Sequence, residues 1–239
     1  MCWVQPTIRG SVLCMQLDVT TTLGPARLTV DQAEQPRAVL WLGHGAGGGI
    51  DALDLEALAA ELPNSGITVV RYEQPWRVAG RKVAPRPAAL DVAWLEAAPK
   101  VAEIAAGLPL IVGGRSAGAR VACRTADAVH AAAVLCLAFP LHPPGKPEKT
   151  RIDELLQPLV PVLVLQGERD TFGDSAKLSA ELEAMSTQSR SETGVTHDIR
   201  VTPVPGADHS MKVLKSSPLD AAAVALLVAT TVRAFIDAL

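Results

Sequence analysis

Residues 114–118, Gly114-Arg115-Ser116-Ala117-Gly118, follow the apolar run 108–112 and open a stretch of helical character at 117–128. A strand that ends in glycine, turns at a serine and enters a helix at once must bury the strand and fold the helix back across it. Gly114 and Gly118 leave room where strand and helix approach closely, so the backbone tolerates a strained turn with Ser116 at its apex. A serine hydroxyl is a poor nucleophile unless a base removes its proton, and such a turn lifts it clear of its neighbours toward a partner. The structural alternative is a glycine-rich turn whose serine caps the helix. With glycine and serine each near 7% of positions, the pattern arises by chance in about one chain in ten of this size, so the surrounding segments must decide.

One such segment is 38–49, an apolar strand that runs into His44-Gly45-Ala46-Gly47-Gly48-Gly49 before a helical stretch. A glycine-rich loop offers backbone N–H groups with no side chains in the way. An oxyanion needs two donors about 3 Å away, and losing one costs ~3 kcal/mol of transition-state stabilisation. The amides of Ala46 and Ala117 are the candidates. A phosphate-binding loop competes, but no Gly-Lys-Ser/Thr follows. His44 is expected to shape the loop through hydrogen bonds.

Two more segments place an acid and a histidine just past apolar strands. The run 161–167 leads into Glu168-Arg169-Asp170, and 199–204 leads to Gly206-Ala207-Asp208-His209. The order Ser116, Asp170, His209 is that of hydrolases with a nucleophile elbow. Asp174 and Asp208 are alternatives to Asp170, which could instead cap the next helix. Asp170 is favoured because a residue released at the end of a buried strand faces the crevice where open α/β sheets bind ligands.

Through His-Gly-Ala-Gly-Gly-Gly, Gly-Arg-Ser-Ala-Gly, Gly-Glu-Arg-Asp and Gly-Ala-Asp-His, the chain resembles the α/β-hydrolases over nearly all of that domain. It is most similar to their small dienelactone-hydrolase-like branch. The resemblance implies Ser116 as nucleophile, His209 as general base and then acid, and Asp170 as the group that orients the imidazole. Dienelactone hydrolases use cysteine where this chain has Ser116, which points away from dienelactone itself. The expected chemistry is acyl transfer from a small ester through an acyl-enzyme, with no cofactor. The same residues could pass the acyl group to another acceptor. A reading from a different class is a non-catalytic scaffold of this fold that binds a partner through the proline-rich loop 140–147, and some animal relatives of the Arg-Ser-Ala-Gly-Ala-Arg subgroup are scaffold subunits of chromatin complexes.

The rest of the sequence agrees with one α/β domain over 1–239. Strands are expected at 38–42, 67–72, 108–112, 132–137, 161–166 and 199–204, after a β region at 11–30, with helices around 51–62, 88–106, 117–128, 174–185 and 219–238. Alternating β and α segments predict a mostly parallel sheet with helices on both faces. In the last helix Val224, Leu227, Val228, Thr231 and Phe235 fall on one face. A net charge of −3 argues against nucleic acid as a partner. The histidines lack a compact metal-binding spacing, so no metal is expected. Cys2, Cys14, Cys123 and Cys136 show no close Cys-x-x-Cys spacing, and Cys123 and Cys136 read as buried free thiols of a cytoplasmic protein. No signal-peptide pattern or membrane span is evident.

The stretch 139–149 that follows the fourth parallel strand is short, which predicts a minimal lid and an open pocket suited to compact esters. Arg77, in the loop 72–82, and Arg115, beside the serine, are candidates to bind a substrate carboxylate or phosphate. For each the competing expectation is structural, a solvated loop for Arg77 and an ion pair bracing the elbow for Arg115.

Overall fold

Five apolar segments are buried on both faces, and the computed structural model, which describes residues 7–9, 12–192 and 197–239, places them at the centre of a nine-stranded sheet. In chain order the strands are β1 (Thr7–Arg9), β2 (Val12–Thr21), β3 (Gly24–Gln32), β4 (Ala38–Gly43), β5 (Ile67–Glu73), β6 (Leu110–Arg115), β7 (Ala133–Leu137), β8 (Val162–Gly167) and β9 (Ile199–Val204). Their spatial order is β1-β2-β3-β5-β4-β6-β7-β8-β9. The first three pair antiparallel, and the six from β5 to β9 are parallel.

The helices are α1 (Leu53–Glu61), α2 (Pro75–Val78), α3 (Pro87–Ala105), α4 (Ala117–Thr125), α5 (Ile152–Leu155), α6 (Ser175–Glu192) and α7 (Ala221–Asp237). Strand alternation divides the core in two. Val39, Trp41, Val112, Val134 and Val164 face α3, α4 and α6, whereas Leu40, Leu42, Ile111, Leu135 and Leu165 face α1 and α7. This is the α/β-hydrolase architecture. Between β7 and β8, residues 138–161 hold a single helix, the four-residue α5, a minimal lid.

Winding reverses at β4, which has β5 on one side and β6 on the other. The chain diverges on either side of that reversal and leaves a crevice at the carboxyl ends of β4 and β6.

Several boundaries differ from expectation. The strand expected at 108–112 runs from Leu110 to Arg115, because Gly113, Gly114 and Arg115 continue the pairing with β7. The helix expected at 117–128 stops at Thr125, whose hydroxyl turns back to the Val121 carbonyl (2.7 Å). Pro75, with its φ preset for a first helical turn, begins α2 inside what reads as a loop. The buried face of α7 is Val224, Val228, Ala229, Val232, Phe235 and Ile236, so Val232 takes the place expected for Thr231. Cys2 and Ser11, the first residue of the expected β region, lie outside the described residues. Cys123 and Cys136 are buried and free, their sulfurs 3.4 Å apart between α4 and β7. No described helix is long and apolar enough to cross a membrane.

Although only 3% of residues are aromatic, Trp41, Tyr72, Trp76 and Trp94 share one core cluster beside β4. Trp41 on β4 stacks on Trp94 of α3, with ring centroids 3.5 Å apart and planes at 6°, and Tyr72 meets both edge-on. The Tyr72 hydroxyl donates to the Ala93 carbonyl at 2.8 Å, while the indole N–H groups of Trp41 and Trp94 find no acceptor among the described residues. Packing therefore holds this cluster against the cost of two unmet donors. Trp94 is fully buried. Trp94→Ala is expected to cost about 3–5 kcal/mol of stability, read as a lower midpoint in urea unfolding.

Candidate active site

Gly43, Gly114 and Gly118 bring the ends of β4, β6 and α4 into backbone contact. A Cβ on Gly118 would lie 2.3 Å from the Gly43 carbonyl oxygen, and one on Gly114 would lie 2.5 Å from the same atom. The helix can start this close to the sheet only because Ser116 takes φ 54° and ψ −108°, a conformation that costs of order 1–3 kcal/mol for a residue with a side chain. The turn is tied down by the Ser116 amide, which donates to Leu137 O (2.9 Å), and by the Ser116 carbonyl, which accepts from the Arg120 amide (3.2 Å). Ser116 makes no side-chain capping bond to α4, so its hydroxyl is left for another partner.

That partner is His209. Ser116 Oγ–H donates to His209 Nε2 at 3.0 Å, and His209 Nδ1–H donates to Asp170 Oδ2 at 2.8 Å. With Nδ1 facing a carboxylate, the ring keeps its proton there and presents the Nε2 lone pair to the serine. Phe172 packs on the imidazole, with centroids 4.4 Å apart. Of the three acids considered, Asp170 is the one that reaches His209. Asp174 caps α6 by accepting from the Lys177 amide (2.9 Å), and Asp208 accepts from the amides of Ser210 (2.7 Å) and Lys212 (3.0 Å) within its own loop.

The Asp170 side chain is fully buried and firmly held. Its Oδ1 accepts from the Phe172 amide (2.8 Å), and its Oδ2 accepts also from Gln166 Nε2 (3.1 Å). Gln166 Nε2 shares its hydrogens with Gly173 O (2.6 Å) and Phe139 O (3.1 Å), so one amide pins three turns of chain. Neither Gln166 nor Phe172 was singled out in the sequence. The available signal was a lone amide at the end of the apolar run Val162-Leu163-Val164-Leu165, where a buried polar group must have partners.

Ala46 and Ala117 line the same cavity as Ser116, and neither amide donates to another group among the described residues. His44 organises the loop that carries Ala46. Its Nδ1–H donates to Gly45 O (2.9 Å), its Nε2 accepts from the Gln74 amide (3.2 Å), and burial pushes its pKa down. The imidazole is thus a neutral brace with both nitrogens engaged, as expected from its place in the loop.

Arg115 is almost buried. Its Nε lies 3.2 Å from Asp54 Oδ2 at the start of α1, and its Nη2 donates to the backbone carbonyl of His209. The side chain therefore ties together β6, α1 and the histidine loop. Arg77 does not line the cavity, and its guanidinium stands beside Gly49. No cluster of three or more His, Cys, Asp or Glu suited to a metal occurs among the described residues.

The cavity measures about 1120 Å³ and runs from α1 and α7, past Ser116 and His209, to the segment around Pro140. Exposed residues such as Glu56, Glu61 and Leu226 form its outer wall, so it opens to solvent.

A family model described as an alpha/beta hydrolase domain matches residues 36–237. The chain belongs to the α/β-hydrolase family. Among solved structures, an α/β serine hydrolase without a lid from Xanthomonas campestris is similar at 19% identity, with a TM-score of 0.72 over 96% of this chain and 97% of that one. An α/β serine hydrolase homologue from Coxiella burnetii is 14% identical, with a TM-score of 0.67 over 94% and 99% of the two chains. A dienelactone hydrolase from Anabaena variabilis is 16% identical, also with a TM-score of 0.67, over 92% and 97%. These likenesses establish a shared fold. A search of curated protein sequences finds no match.

Burial raises the pKa of the Asp54 carboxyl, and Arg115 works against that rise. Arg115→Ala leaves a buried carboxylate unpaired, a loss of about 3–5 kcal/mol at neutral pH. In that variant the folded-state pKa of Asp54 climbs further above the unfolded value of about 3.9. Because the unfolded chain then ionises first, the stability of the variant falls as pH rises above about 4. The gap between wild type and Arg115→Ala in urea unfolding is expected to be small near pH 4 and to widen toward pH 7.

Proposed function

We propose that this α/β-hydrolase is a serine hydrolase acting on a small ester or related acyl substrate through an acyl-enzyme, with the whole chain as one catalytic domain. The observation that carries the reading is the unbroken hydrogen-bonded line Ser116 Oγ, His209 Nε2, His209 Nδ1, Asp170 Oδ2, with links of 3.0 and 2.8 Å. His209 takes the Ser116 proton as Oγ bonds to the substrate carbonyl carbon. The carbonyl oxygen becomes an oxyanion held by the amides of Ala46 and Ala117. Collapse breaks the bond to the alcohol, which leaves with the proton from His209. Water then attacks the acyl carbon with His209 again as base; as the acyl–Oγ bond breaks, His209 returns that proton to Ser116 Oγ and the carboxylic acid leaves.

Asp170 serves by fixing the tautomer and stabilising the imidazolium. Arg115, with its charge answered by Asp54, acts as a positioning residue for the His209 loop. Arg77 stands outside the cavity, so a direct role for it in substrate binding would need the loop at 72–82 to move. The minimal lid and exposed outer wall favour compact, water-soluble esters. The buried free thiols Cys123 and Cys136 favour a reducing, cytoplasmic setting.

A fluorophosphonate probe tests nucleophile and base without knowledge of the substrate. Labelling is expected to map to Ser116, to vanish in Ser116→Ala and to slow sharply in His209→Ala. Asp170→Asn should lower the labelling rate by about 10³- to 10⁴-fold while the protein stays folded, because the imidazole is then held in the wrong tautomer. Folded protein that takes no label would overturn the reading in favour of a binding scaffold.

A further inference from the structure

The two ends of the cavity differ in chemistry. Toward α1 and α7 its wall carries Leu53, Ala57, Ala225 and Leu226, with the acidic Glu56 and Glu61 at the solvent edge. Past Ser116 the other end is formed by Arg120, Arg151, Pro140, Pro144 and Phe172. Three guanidinium groups gather there, because Arg124 lies one turn beyond Arg120 on α4 and shares its partner. Glu154 accepts from Arg120 Nε (2.8 Å) and Nη2 (2.5 Å) and from Arg124 Nη1 (2.6 Å). Asp91 accepts from Arg124 Nε (2.8 Å) and Nη2 (2.6 Å). Two carboxylates thus answer two arginines.

The third arginine, Arg151, has no carboxylate within ion-pair distance among the described residues. Its Nη1 donates to the carbonyls of Pro140 (3.1 Å) and His142 (3.3 Å), and its Nε and Nη2 have no acceptor among the described residues. Burial and the neighbouring Arg120 and Arg124 push its pKa down, while Glu154, already shared by both, pulls the other way. The cluster therefore carries one unmatched positive charge, on a planar fork with free donors, in the wall of the cavity that holds Ser116. The other cations near the site differ. Arg115 is answered by Asp54, Arg77 stands outside the cavity, and Lys212 is an exposed single point charge at its rim.

Resting on the acyl-transfer reading of Ser116, we infer that Arg151 determines specificity by pairing with an anionic substituent of the substrate, a carboxylate or a phosphate. A guanidinium fork matches either group through two parallel hydrogen bonds. The two carbonyl bonds hold the fork in place before the anion arrives, which lowers the ordering cost of binding.

The test compares kcat/KM on matched ester pairs. One pair is an aryl hydrogen glutarate and its methyl ester, and the other is the acetate of an alcohol bearing a phosphate and of the same alcohol without it. Wild-type protein is expected to favour the anionic member of at least one pair by about 10- to 100-fold, and the pair that responds tells carboxylate from phosphate. In Arg151→Gln that ratio should fall to about one, and Arg151→Lys, which keeps the charge without the fork, should retain part of it. No preference on either pair in wild type, a preference that survives Arg151→Gln, or one lost in Lys212→Met instead would overturn the assignment. Failure of the catalytic reading is separable from this result. Calorimetric titration of Ser116→Ala with hydrogen glutarate and with inorganic phosphate needs no turnover. Binding of either anion that is lost on adding Arg151→Gln supports the site, whereas no binding of either, or equal binding by both proteins, rejects it.

Discussion

Everything at this site depends on how closely three pieces of backbone approach one another. Gly43 on β4, Gly114 on β6 and Gly118 in the first turn of α4 meet with no room for a Cβ between them. The strain at Ser116 is the other side of that contact, because a helix starting so near the sheet forces the residue before it into positive φ. The packed sheet on either side over-determines the turn and makes the strained conformation persist. The serine reaches the cavity wall as a by-product of close packing.

Around that turn, the polar parts of the site are each held by a second polar group. His44 braces the loop of Ala46 through both ring nitrogens, Gln166 steadies Asp170, and Arg115 links α1 to the backbone of His209. These groups are buried, so a loose one would carry an uncompensated desolvation cost. The same demand for partners that stabilises them also fixes their geometry. Hydrogen bonding and reactivity are thus set by one network spread over β4, β6, β8 and the loop after β9.

Much of the fold was legible because burial imposes periodicity. The six parallel strands were recognisable as apolar runs, and the alternation of β and α segments along the chain predicted helices on both faces. Ser116, Asp170 and His209 stood out because each follows a strand end marked by glycine, and the structure brings the three within hydrogen-bond distance. The local boundaries were harder. Nothing in the spacing near Thr125 announces that its hydroxyl will turn back on the helix, and Pro75 opens a helix within a stretch that otherwise resembles a loop. The partners of Arg115 and Asp170 were out of reach for a different reason. Asp54 and Gln166 are distant in sequence or unremarkable in type, and only the three-dimensional contact shows which charges are answered. The unmatched charge on Arg151 is the same kind of fact, a difference between neighbours that no single residue reveals.

The aromatic cluster has an optical consequence. Trp41, Trp76 and Trp94 are all buried in the same core, and Trp76 packs on His44, with ring centroids 5.5 Å apart. Three of the four tryptophans of the chain therefore lie beneath or beside the loop that carries Ala46. Indole emission responds to the polarity and mobility of its surroundings, so the intrinsic fluorescence of this protein is weighted toward one region. A shift in emission without loss of secondary structure reports rearrangement under the β4 loop, and the chain carries that probe without any added label.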